Sequence, residues 1–149
     1  MMASKKIRVA DYLIQRLADE GVQDIFLLPG GGAMHLNDAI ACEKRITPIP
    51  CHHEQACGIA AEAYGRTHPV GFGVAVVTTG PGATNIVTPL AGAWIESLPL
   101  MVISGQVKRS DALNGRPIRQ GGVARSGHYF YSQAHNKICG VCNKCNRRT

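Results

Sequence analysis

The sequence predicts an α/β domain: an open parallel sheet with helices on both faces. Three observations lead there. Short apolar runs without polar alternation recur between residues 24 and 104, each is followed by a stretch with helical spacing, and glycine or proline interrupts the chain at the joins. Strands covered on both faces read as continuous apolar runs, and regular alternation of strand and helix is the pattern of parallel crossover units.

The elements follow in order. Val9, Leu13 and Leu17, with Ala10 and Ile14 beside them, mark one face of a helix that Gly21 can terminate. The run "DIFLL" is the first strand, "PGGG" breaks it, and Met34 to Glu43 is helical. The cycle repeats with "RITPIPC" as a strand, "EQACGIAAEAYGR" as a helix of small residues, "GFGVAVVTT" as a strand and "GPG" as a break. Ile86, Leu90, Ala93 and Trp94 stripe the next helix, and "LPLMVIS" is the fourth strand.

At 149 residues and 45% hydrophobic content the chain suits one domain with a sizeable core. The net charge of +6 would ordinarily suggest a nucleic-acid partner, but its distribution argues otherwise. Residues 124 to 149 hold Arg125, Lys137, Lys144, Arg147 and Arg148 with no acidic residue, so the remainder is close to balanced. No nucleic-acid groove is expected. The N-terminal "MMASKKIRVADYL" lacks an apolar signal core and no apolar stretch reaches bilayer length, so no membrane association and a cytoplasmic location are expected. Cys42, Cys51 and Cys57 are then reduced and expected to be buried as small hydrophobes.

The tail "HNKICGVCNKC" sets Cys139, Cys142 and Cys145 three apart behind His135. These are four soft ligands, yet all fall within eleven residues rather than in two pairs joined by a folding loop. No metal site is expected there. A chain whose function lay in this segment would instead be a small metal- or nucleic-acid-binding protein, recognisable by stoichiometric zinc.

In open parallel sheets ligands sit beyond the carboxyl ends of the strands. Four segments should therefore line one rim: Pro29 to Gly32, His52 to Gln55, Thr78 to Asn85 and Ser104 to Gln106. "PGGG" reads either as a plain turn or as a place where a ligand approaches bare backbone. "GPGATN" is neither a dinucleotide fingerprint nor a P-loop, and Pro81 fits the first turn of a helix. Glu54 falls where a strand ends and a helix of mostly Ala and Gly begins. A carboxylate there stabilises the helix, and desolvation would also suit it to proton exchange; both readings stand. His52 and His53 are expected to pack or hydrogen-bond rather than to ligate.

Together "GVQDIFLLPGG", "HHEQACGIAAEAYGR", "VVTTGPGATNIVTPLAGAWIESLPLMVISGQV" and "IRQGGV" resemble the N-terminal pyrimidine-binding domain of thiamine diphosphate enzymes of the acetolactate synthase type, from about Ile7 to Val123. The resemblance implies that Glu54 hydrogen-bonds the aminopyrimidine ring of the cofactor and so promotes loss of the thiazolium proton. It implies that Thr79, Gly80, Pro81 and Asn85 lie in the pyrimidine-contacting loop, that Gly30 and Gly31 lie near the reacting carbonyl, and that Gln120 lies close to substrate. It further implies a 2-oxo acid substrate such as pyruvate and a homodimer or partner diphosphate-binding domain. Mg2+ is expected on that other domain, and FAD is admitted in full-length members. A related arrangement carries this domain as a separate subunit of a two-chain 2-oxo acid decarboxylase. Lys108 and Arg119 stand where many acetolactate synthases have Pro and Phe, which leaves the acceptor substrate open.

The resemblance as quoted stops at Val123. Reading codons for "ARSGHYFYSQAHNKICGVCNKCNRRT" one base later allows "QEVDIISIVKPITKYAVFVTNAIEE" without a stop. That string restores acidic residues, an apolar pattern and the family's continuation. The expectation is an incomplete pyrimidine-binding domain over 1–123, followed by an out-of-frame tail over 124–149 that is not a domain. Such a fragment, truncated at the C-terminus, is expected to leave a sheet edge exposed and to be inactive alone.

Overall fold

The computed structural model describes residues 6–106 and, for the backbone alone, residues 130–131. Its order is α1 (Val9–Asp19), β1 (Asp24–Leu27), a 3-10 turn (Gly31–Ala33), α2 (Met34–Cys42), β2 (Thr47–Pro50), α3 (Glu54–Thr67), β3 (Gly73–Val77), α4 (Pro81–Asn85), α5 (Val87–Ile95), β4 (Leu100–Ser104) and β5 (Phe130–Tyr131). The sheet runs β2-β1-β3-β4-β5, with the first four strands parallel. This is the expected open α/β architecture.

Strand side chains alternate between two cores. Ile25, Leu27, Val74, Val76 and Ile103 join Ile14, Leu17, Ala39 and Ile40 beneath α1 and α2. Phe26, Ala75, Val77, Leu100 and Val102 join Cys57, Ala61 and Ala93 beneath α3 and α5. Both faces of the sheet are thus covered, which is why its strands read as unbroken apolar runs.

β1 leads outward through α2 to β2, while β3 leads the other way through α4 and α5 to β4. The crossovers therefore diverge between β1 and β3, and the carboxyl ends of those two strands frame a switch-point crevice.

The structure corrects several expectations. β2 is an exposed edge strand rather than a buried one, which accommodates Pro48 and Pro50. Val9 points to solvent at 79% exposure, while Ile14 and Leu17 enter the core and Ala10 and Leu13 pack against it, so of the expected face of α1 Val9 alone lies off the buried side. Trp94 is half exposed, leaving Ile86 and Ala93 as the fully buried positions of its stripe. Cys42 is exposed, whereas Cys51 is half-buried and Cys57 fully buried. The helix expected after "GPG" is broken at Ile86 into α4 and α5. Finally, β4 pairs antiparallel with β5 through Met101↔Tyr131 and Val102↔Phe130. An unpaired strand edge presents N–H and C=O groups that any extended segment can satisfy, and here residues 130–131 do so. Among the described residues no helix is long and apolar enough to cross a membrane.

Candidate cofactor site at the strand ends

Glu54 is the first residue of α3, and its burial follows from how that helix packs. The buried positions of α3 are Glu54, Cys57, Gly58, Ala61 and Gly65, a stripe at helical spacing made almost wholly of small residues. Small residues let the helix lie directly on β3: a Cβ on Gly73 would overlap the carbonyl of Ala61, and one on Gly65 would come within 2.7 Å of the Gly73 nitrogen. The same stripe carries the Glu54 carboxylate to the sheet's rim and leaves it only 7% exposed. His53 caps the helix, its Nδ1 accepting from the Gln55 N–H at 3.1 Å. His52 and His53 are both exposed, so His53 performs the hydrogen-bonding role expected of it.

The Glu54 carboxylate is held in place from α4. Asn85 Nδ2 donates to Glu54 Oε2 at 2.9 Å, joining residues that lie 31 apart in sequence. The other oxygen faces Gly82, where an added Cβ would sit 3.2 Å from Glu54 Oε1. Gly80 precedes Pro81 with φ +65° and ψ −122°, a conformation reserved in practice for glycine, and Pro81 opens α4. Thr79 Oγ1 is buried without a hydrogen-bond partner in this same turn. A buried hydroxyl so placed costs about 1–3 kcal/mol while unmade, so it is an open demand for a polar group.

The glycine loop after β1 meets this turn. The Gly32 N–H donates to Thr78 Oγ1 at 3.2 Å, and the Gln106 N–H donates to the Gly32 carbonyl at 3.2 Å. A Cβ on Gly30 would lie 2.5 Å from Thr78 Cβ, so Gly30 is bare for packing reasons. Gly31 is different: nothing lies within 4 Å of its would-be Cβ, so it faces open space. Asn37, on α2, reaches the Gly30 carbonyl through Nδ2 at 3.5 Å.

Glu54, Thr79, Gly80, Pro81 and Asn85 therefore gather in one place, with Gly30 and Gly31 beside them across Thr78. Gln120 and the cysteine cluster lie outside the described residues. Sequence reasoning did not single out Thr78, Gly32 or Gly82 individually; their signal is a threonine at a strand end flanked by glycines on both neighbouring loops. A depression of about 450 Å³ lies elsewhere, between α1 and α2, lined by Arg8, Leu13, His35 and Leu36 among others. It lacks a buried polar group and is not at the switch point.

Comparison with known proteins agrees with this geometry. Residues 7–135 match the family described as thiamine pyrophosphate enzyme, N-terminal TPP binding domain. The chain belongs to that family. The match passes Val123, farther than the quoted motifs reach. Acetolactate synthase 2, chloroplastic, of Nicotiana tabacum is 42% identical over 114 residues, covering 73% of this chain and 17% of that protein. Acetolactate synthase large subunit of Buchnera aphidicola is 43% identical over 101 residues, covering 68% and 18%. Acetolactate synthase of Mycobacterium bovis is 40% identical over 109 residues, covering 72% and 17%. The chain thus spans about a sixth of the length of these relatives.

Membership implies thiamine diphosphate, and the residues present suit the aminopyrimidine end of that molecule. A buried carboxylate held by Asn85 can bond a ring nitrogen, the partnerless Thr79 hydroxyl can bond a ring nitrogen or amino group, and the bare Gly82 leaves room beside the carboxylate.

Proposed function

We propose that this chain supplies the aminopyrimidine site of a thiamine diphosphate-dependent, decarboxylating 2-oxo acid carboligase of the acetolactate synthase type, with Glu54 as its catalytic residue. The observation that carries this reading is the buried Glu54 carboxylate at the start of α3, fixed by Asn85 and facing a turn whose Thr79 hydroxyl has no partner. When bound, thiamine diphosphate supplies the carbon nucleophile for decarboxylation and two-carbon transfer. Glu54 bonds the ring and exchanges a proton with it at a carboxylate oxygen. Asn85 fixes which oxygen faces the ring, and the apolar floor of Cys57 and Ile86 keeps water from competing. Thr79, Gly80 and Pro81 shape the turn against the ring, Gly30 and Gly31 leave room at the reacting carbonyl, and Gln120 acts on substrate.

The substrate is a small 2-oxo acid such as pyruvate. The diphosphate, its Mg2+ and any FAD are held by other domains or by a partner, in a homodimer or with a diphosphate-binding domain, in the cytoplasm. Residues 1–149 taken alone hold only the pyrimidine part of the cofactor and do not turn over substrate. Residues 124–149 are read one base out of frame, a reading supported by the stop-free shifted string and its acidic, apolar pattern; sequencing the DNA around codon 123 decides it.

The functional test is NMR exchange of the cofactor C2 proton in an enzyme that carries this chain in continuous frame with its diphosphate domain. Glu54→Gln is expected to slow exchange at least a hundredfold, in keeping with about 10²–10⁴-fold for a positioned acid–base group, while cofactor retention through the diphosphate persists. Exchange at the wild-type rate in the variant would refute the assignment.

A further inference from the structure

We infer that Thr78 is a positioning residue that fixes the glycine loop after β1 against the cofactor turn after β3, with its hydroxyl and its methyl doing separate jobs. It stands at the end of β3 and touches three loops at once. Its Oγ1 accepts from the Gly32 N–H at 3.2 Å. Its Cγ2 lies 2.8 Å from where a Cβ on Gly82 would be, so methyl and bare glycine fit against one another in the turn beside Glu54. Its backbone carbonyl accepts from Ser104 Oγ at 3.2 Å, which ties it to the end of β4.

Gly32 is held from both sides by this arrangement. Its N–H goes to Thr78, its carbonyl accepts from the Gln106 N–H, and its backbone lies so close to Gly105 that a Cβ there would overlap the Gly32 carbonyl. The loop from Gly30 to Gly32 packs against both threonines at the end of β3, Gly30 against Thr78 and Gly32 against the Thr79 methyl and Thr78 Oγ1, while Gly31 faces open space. Of the two threonines, Thr78 is the one whose hydroxyl hydrogen-bonds the loop. The spacing between the loop that would face the reacting carbonyl and the turn that would face the aminopyrimidine is thus set by the packing of Thr78 and Thr79, with the Thr78 hydroxyl adding the hydrogen bond that fixes the loop. In a site that works by placing two bound molecules relative to each other, a displacement of about 1 Å is enough to cost two orders of magnitude in rate. The functional half of this inference rests on the cofactor reading above.

Two substitutions separate the two jobs. Thr78→Val keeps the branched shape and removes the acceptor; Thr78→Ser keeps the acceptor and removes the methyl. The experiment is amide-resolved NMR on the full 149-residue chain, first without ligand and then titrated with thiamine diphosphate. Without ligand, Thr78→Val is expected to speed hydrogen exchange at the Gly32 amide about tenfold, as loss of one hydrogen bond implies, while Gly82 is unaffected. Thr78→Ser is expected to leave Gly32 within about twofold of wild type, since its hydroxyl can make the same bond. With thiamine diphosphate, the wild-type amides of Gly82, Asn85 and Gly32 should shift together. In Thr78→Val those of Gly82 and Asn85 should still shift while Gly32 does not, and in Thr78→Ser Gly32 should shift as in wild type while the Gly82 shift is diminished, because the methyl that packs the turn is gone.

Unchanged Gly32 exchange in Thr78→Val overturns the inference. So does a Gly32 shift that persists in that variant at equal saturation, because a residue that only fills space would move all three amides together. Should Thr78→Val not fold, Thr78→Ala takes its place: it too removes the acceptor from the Gly32 N–H, and an unaltered Gly32 exchange rate there overturns the inference equally. If the wild-type chain shows no shift at Gly82 or Asn85, the cofactor reading fails, and the ligand-free exchange rates still decide whether Thr78 holds the loop.

Discussion

Gly82→Ala perturbs the site at its tightest point without backbone strain, since only Gly21, Gly71 and Gly80 among the described glycines have positive φ. The new Cβ would stand 2.8 Å from Thr78 Cγ2 and 3.2 Å from Glu54 Oε1. Ordinary contact between carbons begins near 3.5 Å, so the Thr78 methyl must retreat by roughly 0.7 Å and the carboxylate by less. Moving Thr78 that far lengthens its 3.2 Å bond from the Gly32 N–H beyond useful range. Overpacking of this kind costs about 1–3 kcal/mol. Equilibrium urea unfolding should therefore show a lower midpoint at an unchanged slope, and thermal unfolding a drop of about 2–4 °C for each kcal/mol in a chain of this length. Gly31→Ala is the matched control: with nothing within 4 Å of its Cβ, it should stay within about 0.5 kcal/mol of wild type. Equal midpoints for Gly82→Ala and wild type would refute the packing described around Glu54.

Asn85→Ala leaves a buried carboxylate short of its 2.9 Å partner and should cost about 1.5–3 kcal/mol, the range for hydrogen bonds to charged groups, read by the same urea titration. Acid should destabilise the chain through Glu43, whose carboxyl the Arg45 side chain holds down from 4.5 to about 2. A depressed carboxyl contributes stability that is present above its unfolded value and is lost as pH falls, so the loss should develop between about pH 4.5 and 2, and Glu43→Gln should flatten it when melting is followed against pH. Burial pushes the Cys57 thiol up to about 12, while Cys42 is exposed. Iodoacetamide at neutral pH should thus label Cys42 promptly and Cys57 only under denaturant, as peptide mass mapping of both sites would show.

Much of the architecture was legible because it rests on local pattern. β1, β3 and β4 are continuous apolar runs, and their side chains divide between two cores because both faces of the sheet are covered. What escaped depends on partners distant in sequence. The exposure of Trp94 and Val9 is set by which face of each helix meets the sheet, and spacing alone allowed a neighbouring stripe. The break at Ile86 is marked by Pro89, which has no N–H to give to the Asn85 carbonyl, a signal that the apolar spacing of Ile86, Leu90 and Ala93 obscured. The pairing of residues 130–131 with β4 fits the strand propensity of Phe130 and Tyr131, but their partner and its antiparallel sense depend on the edge that β4 offers, which lies about thirty residues away in sequence. In the site, Glu54 was legible from its place at the join of strand and small-residue helix. Its bond from Asn85 and the junction at Thr78 were not, because both arise where loops from different strands meet.

Saturation-transfer NMR of thiamine diphosphate with the 149-residue chain tests the aminopyrimidine site most directly. Transfer to the aminopyrimidine protons should exceed transfer to the thiazolium side chain that bears the diphosphate, and Glu54→Gln should abolish the difference while the variant's amide spectrum shows it folded. Transfer that is uniform along the cofactor, or identical in wild type and Glu54→Gln, would contradict the assignment of Glu54 to the cofactor.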